Sequence, residues 1–191
     1  MTMTAATPYH HGDLPEALVR TAIELLEEDG AADVSLRAVA RRAGVSPAAP
    51  YRHFADRGAL LSAVAAVGYR QLAIDLTAAH PAPSTADDLA TVAVAYVMFA
   101  LTRPGLFRVM FAGSCDPAND DRVDAVAAIQ GYLDTVVRRA LPQDDPESMA
   151  IATWSLVHGL AFLHLDGKLD ASSPELVADR VRRAVVATLT R

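Results

Sequence analysis

The stretch Gly44–Phe54, GVSPAAPYRHF, sets two prolines three residues apart in a segment that otherwise has the spacing of a short amphipathic helix. At about 100° per residue, Pro47, Pro50 and Phe54 fall within roughly 60° of one another and are expected to face inward. Ala48, Ala49 and Arg52 fall opposite, with Tyr51 and His53 on the two flanks. Pro47 would be the first helical residue after a Ser46 cap, where its missing N–H has no helical partner to lose. Pro50 removes the first backbone bond of such a helix, so the segment is expected to start tightly wound.

The residues just upstream complete a pattern. Ser35 can cap a helix whose buried face is Leu36, Val39, Ala40 and Ala43, and Gly44 ends that helix with only Val45 between it and Ser46. Two short helices joined by a tight glycine-containing turn, with small residues at the crossing, form a helix-turn-helix. The outward ridge of the second helix, two methyls and a guanidinium bordered by two hydrogen-bonding rings, suits the DNA major groove, which is about 12 Å wide. Arg52 can make a bidentate contact to guanine, while Arg37, Tyr51, His53 and Arg57 are placed to grip phosphates, and Ser46 heads the same ridge.

Charge supports that reading. The chain of 191 residues carries a net −6, yet Ser35–Gly58 holds five arginines and a single acid, Asp56. From Gln71 onward there are ten basic and fifteen acidic residues. A small basic segment on an acidic body points to a localised anionic partner rather than to a protein that coats nucleic acid.

Around this segment the chain reads as all-α, with about nine helices. A first helix is expected over about 13–29, with Leu14, Leu18, Ala22, Leu25 and Leu26 in one stripe and Gly30 to stop it. A long fourth helix runs from about Asp56 to Ala79, followed by helices near 85–102, 104–112, 122–141, 146–165 and 174–190. The expected division is 10–70, a DNA-binding unit with the start of the connecting helix, and 71–191, a helical unit for effector binding and dimerisation. Gly68 is a candidate bending point of the long helix.

Other classes are poorly supported. The apolar runs Leu89–Leu101 and Met149–Leu165 fall short of the ~20 residues needed to cross a bilayer. The first nineteen residues contain no Lys or Arg and no apolar block. A cytoplasmic protein without a membrane partner is expected. The single cysteine, Cys115, excludes an internal disulfide, and its acidic neighbours disfavour a thiolate. No nucleophile elbow, phosphate-cradling glycine loop or zinc-protease motif is present, so no catalytic residue, metal or cofactor is expected. Tyr9–Leu14, YHHGDL, reads either as a tail or as a segment placing His10 and His11 near phosphates.

Residues 35–61, SLRAVARRAGVSPAAPYRHFADRGALL, resemble the DNA-binding signature of TetR/AcrR-family regulators, with Ala40, Gly44, Val45, Tyr51, Phe54, Leu60 and Leu61 in register. The resemblance implies DNA contacts by Arg37, Ala48, Ala49, Tyr51, His53 and Arg57. It further implies a homodimer on a DNA operator, paired through its last two helices, and a small-molecule effector held in the C-terminal unit. The position of Ala48 often carries a larger residue in that family, which leaves operator choice more to Arg52 and DNA shape.

Trp154 and His158-Gly159 resemble the Trp-His-Gly pattern of one C-terminal subgroup. With Phe162 they lie on one helical face and form either a cavity wall or packed core. Tyr96, Phe99, Phe107, Met110 and Phe111 are the other candidate wall residues, and together they favour an apolar or aromatic effector. The helix at 146–165 is apolar nearly all round and is expected to be buried on several sides, with Ser155, Gly159 and Leu163 allowing a close approach. Val177, Val181 and Val185 of the last helix are expected to join them at the dimer interface. The function expected is a ligand-released repressor. The alternative is a helical small-molecule sensor or carrier whose DNA binding is weak or lost.

Overall fold

Capping side chains set where the helices begin. In the computed structural model, which describes residues 14–29, 34–112, 116, 118–141 and 145–189, the chain forms eight α-helices and one 3-10 turn, with no strand among the described residues. They are α1 (Leu14–Asp29), α2 (Leu36–Arg42), the 3-10 turn Pro50–Arg52, α3 (Arg57–Ala79), α4 (Ala86–Thr102), α5 (Pro104–Met110), α6 (Asp120–Ala140), α7 (Pro146–Leu165) and α8 (Pro174–Leu189). The Ser35 hydroxyl accepts the Ala38 amide at 3.1 Å to start α2, and Asp56 accepts the Ala59 amide at 2.9 Å to start α3. Thr85 and Asp88 form a reciprocal capping box at α4. Gly30, Cys115 and the segment Tyr9–Asp13 with its paired histidines lie outside the described residues.

One apolar core runs from Leu18 in α1 to Leu189 in α8, and α3 is its spine. Leu60, Leu61, Val64, Leu72 and Leu76 of α3 are at most 1% exposed. The helix packs against α1 near its start and against α4, α5 and α6 along its length. Pro104 opens α5 at a position where no helical N–H is lost, and the axis turns by 108° from α4. The Tyr69 hydroxyl of α3 donates to the Met110 carbonyl at 2.7 Å and fixes the far end of α5.

Gly68, singled out as a bending point, has a packing role: a Cβ there would stand 2.7 Å from Met110 Sδ and 3.0 Å from Leu106 Cδ1, so the glycine lets α5 lie close on α3. Three expectations need correction. Val177, Val181 and Val185 are at most 1% exposed, because α8 turns that stripe inward against α4. They are protomer core and have no surface left for a partner. Helix α7 is not buried on several sides, since only Val157, Leu160, Ala161 and His164 are covered. Lastly, α3 and α7 do reach the length and apolar composition of a membrane span, although α3 is mostly enclosed by the other helices.

Phe107 of α5 is fully buried against aromatic rings of α4 and α7. The Phe107→Ala variant is expected to lose about 3–5 kcal/mol of unfolding free energy, read from urea denaturation.

Candidate nucleic-acid interface and effector region

The prolines shape the segment after α2 differently from a regular helix. In an α-helix starting at Ser46, its carbonyl would accept the amide of residue 50, and Pro50 has none. It accepts the Ala49 amide instead, at 2.9 Å, while Arg52 donates to the Ala49 carbonyl and His53 to the Pro50 carbonyl at 3.2 and 3.0 Å. These i to i+3 bonds wind the segment as a 3-10 turn in place of the expected third α-helix. The Phe54 amide donates to the Pro50 carbonyl at 2.9 Å and supplies the single wider turn. Upstream, Gly44 takes φ +70°, and the Val45 amide closes back on the Ala40 carbonyl at 3.0 Å.

Pro50 and Phe54 are buried and pin the turn to the core, whereas Pro47 is exposed and does not join the inward face assigned to it. Ser46, Ala48, Tyr51, Arg52 and His53 are exposed, and Ala49 is half-buried. Arg37 of α2 is exposed as well. Arg37, Tyr51 and Arg57 meet around a cleft of about 250 Å³ together with Ser35 and Asp56, the caps of α2 and α3. Arg57 is half-buried and its Nε donates to the Val34 carbonyl at 2.7 Å, so this guanidinium also ties α3 to the chain before α2. Arg42 forms an ion pair with Glu28 of α1.

In the C-terminal half, aromatic rings from α4, α5 and α7 converge. The Tyr96 hydroxyl stands 2.9 Å from His158 Nδ1, and Trp154 Nε1 donates to the same hydroxyl at 3.4 Å. Trp154 Nε1–H and the Tyr96 O–H both donate when neutral His158 carries its proton on Nε2 and accepts at Nδ1. Burial pushes the Tyr96 phenol well above its ordinary range and lowers the His158 imidazole below 6.5, so both stay neutral at neutral pH. Phe111 approaches His158 to 4.4 Å and Phe162 to 4.9 Å between ring centroids. Phe107 meets Phe111 at a tilt, 4.9 Å between centroids, and Tyr96 edge-on at 5.6 Å.

Two small cavities flank this cluster, of about 30 and 60 Å³, and both are walled by Tyr96, Leu133 and Trp154. Phe111 lines the larger one. Phe99, Phe107 and Met110 are fully packed and line neither cavity, as do His158 and Phe162, which close the cluster from the α7 side. The reading of the sequence missed α6, whose Val126, Ile129 and Leu133 recur at helical spacing along the cavities, and Thr153, whose hydroxyl is buried without a partner in the smaller one.

The remaining face of α7 is open. Ile151 is 57% and Leu163 45% exposed, and with Ser155 and Gly159 they form a stripe at four-residue spacing. No atom of another element lies within 4 Å of where a Gly159 Cβ would be, so no other part of the protomer occupies this stripe at its centre.

Comparison with known proteins matches this geometry at both ends of the chain. Residues 18–64 match the family model of bacterial regulatory proteins of the tetR family, and residues 89–189 match that of the tetracyclin repressor-like C-terminal domain. The chain is 37% identical over 73 residues to the tetracycline repressor protein class C of Escherichia coli, covering 38% of this chain and 31% of that one. It is 34% identical over 119 residues to an HTH-type transcriptional regulator of Mycobacterium tuberculosis, covering 58% and 50%. The matched stretch thus spans half or less of these curated relatives. A solved structure of a protein of unknown function from Rhodococcus sp. RHA1 is 34% identical, with 97% and 100% of the chains covered and a TM-score of 0.80. A TetR-family regulator of Streptomyces coelicolor shares the fold at 24% identity and a TM-score of 0.68, over 94% and 95% of the chains. With both halves matched and the helix-turn-helix in place, the chain belongs to the TetR family of bacterial transcriptional regulators.

Proposed function

We propose that this regulator is a cytoplasmic repressor without enzymatic activity that binds a palindromic operator as a homodimer and is released by a small apolar or aromatic effector. The observation that carries the reading is the exposed ridge of Ala48, Tyr51, Arg52 and His53, held rigid by buried Pro50 and Phe54. Residues 10–70 serve DNA, and 71–191 serve effector binding and pairing. Arg52 reads guanine, the alanine methyls meet thymine methyls, and Arg37, Tyr51, His53 and Arg57 hold phosphates around the cleft they share.

Pairing uses the α7 stripe of Ile151, Ser155, Gly159 and Leu163, which leaves an apolar face uncovered in the protomer. Two recognition turns must then stand about 34–36 Å apart to enter successive major grooves. A drug-sized effector needs about 300–1,000 Å³, far more than the two cavities offer. Its entry therefore requires Trp154 and Leu133, which wall both cavities, to move. Reducing operator occupancy from about 99% to about 1% takes ~5.5 kcal/mol of preference for the released arrangement.

Selection from random duplexes, followed by titration at several salt concentrations, tests the reading. The expected result is a single enriched palindrome whose affinity falls steeply with salt. Arg52→Ala is expected to relax base preference at one position of each half-site, and Arg37→Ala to weaken all duplexes by a similar factor. Enrichment of no sequence, with ligand binding retained, would replace the repressor by a small-molecule sensor or carrier.

Pairing is tested by Leu163→Glu combined with Ile151→Glu. The wild type is expected to sediment as a dimer and the double variant as a folded monomer with operator affinity reduced at least about a hundredfold.

A pH dependence follows from two histidines of α7. Burial lowers the pKa of His158, and burial together with the Arg180 guanidinium lowers that of His164, both from 6.5. The unfolded chain therefore binds more protons than the folded one once the pH falls below 6.5, and stability is lost as the pH drops through that value. The thermal midpoint is expected to fall between about pH 7.5 and about pH 5.5, and to fall less in a His158→Gln, His164→Gln variant.

A further inference from the structure

A cleft of about 520 Å³ opens between α1 and α3, within the unit that carries the recognition turn. It is several times larger than the cavities beside Trp154 and falls in the range of small-molecule sites. Its apolar lining comes from Val19 and Ile23, one turn apart on α1, from Val67 of α3 and from Phe54, which anchors the recognition turn. Val67 stays 36% exposed, so apolar surface faces the opening. Arg20 lies with Val19 and Ile23 on one face of α1, and Arg70 lies one turn after Val67 on α3. Both arginines are exposed, and neither has a hydrogen bond or an ion pair among the described residues. Two unpaired cations thus border one apolar cleft.

We propose that this cleft binds an apolar monocarboxylate, a hydrocarbon body with one carboxylate head, at a ligand site separate from the aromatic cluster. The body displaces water from Val19, Ile23, Val67 and the edge of Phe54. The head is met by Arg20 and Arg70, whose planar forks suit a carboxylate. Glu16 and Asp121 border the same cleft and oppose a second negative charge. A phosphate monoester, nearly doubly charged at neutral pH, and the phosphate backbone of a duplex are therefore disfavoured. The site uses none of the residues assigned above to effector binding or pairing. A ligand seated there rests on the side chain that pins the recognition turn.

Calorimetric titration of the full chain with octanoate tests the site. One molecule is expected to bind per chain, with Kd below about 1 mM. Arg20→Ala combined with Arg70→Ala is expected to weaken binding at least about tenfold. Arg20→Lys with Arg70→Lys, which keeps the charge and loses the fork, is expected to lie between. Val67→Trp places a ring in the opening and is expected to abolish binding. The uncharged 1-octanol is expected to bind at least about tenfold more weakly than octanoate. Thermal melting checks that each variant is folded, and should Val67→Trp fail to fold, the arginine variants decide. Undiminished octanoate affinity in the folded variants overturns the proposal, as do equal affinity for 1-octanol and a wild type that binds no octanoate. A change of sedimenting mass in Arg20→Ala, Arg70→Ala without octanoate would mean that a second copy of the chain covers the cleft, and overturns it as well.

Discussion

The absence of an amide at Pro50 governs the interface of this protein. With no N–H to meet the Ser46 carbonyl, the backbone tightens into a 3-10 turn, and the regular hydrogen bonding of an α-helix is unavailable to hold the ridge in place. Anchorage falls to side chains instead. Pro50 is buried and Phe54 joins the core that holds Leu60 and Leu61, so the orientation of Arg52 and Tyr51 is set by packing. The caps on either side, Ser35 and Asp56, fix where α2 and α3 begin. The cleft shared by Arg37, Tyr51 and Arg57 exists because these three local choices agree.

Behind the interface, the molecule is organised by close approach to glycine. Gly68 lets Met110 and Leu106 lie on α3, and Gly105 lets α5 lie on α1. Both positions lie in helices, where glycine costs about 1 kcal/mol relative to alanine, and the compensation is close packing, against side chains at Gly68 and against the Leu26 backbone at Gly105. Helix α5 is thus wedged between two elements of the N-terminal half while its aromatic residues belong to the cluster in the C-terminal half. No flexible linker separates the halves, and the single core passes through α3 and α5 alike.

Much of this was legible in the sequence. Apolar spacing, caps and proline positions placed the α-helices to within a few residues, and the basic segment Ser35–Gly58 falls inside the stretch that matches the family's regulatory model. What was not legible depends on partners that local pattern does not specify. The stripe of Val177, Val181 and Val185 has the same periodicity whether it faces α4 or a second protomer, and only the packing of α8 decides. A glycine inside a helix signals either a bend or a neighbour, and Gly68 proved to have a neighbour. The aromatic residues of α4, α5 and α7 were recognisable as a group, but which of them border space depends on α6, whose residues carried no distinctive chemistry.

The open stripe on α7 bears on how such a protein behaves in a cell. Ile151 and Leu163 stand in water in the protomer, and the pairing proposed through them would make the competent species second order in the number of chains. Halving the copy number then lowers the amount of paired protein by more than half when protomers predominate. Control of the bound gene would thus fade abruptly, rather than in proportion, as the cell dilutes its supply.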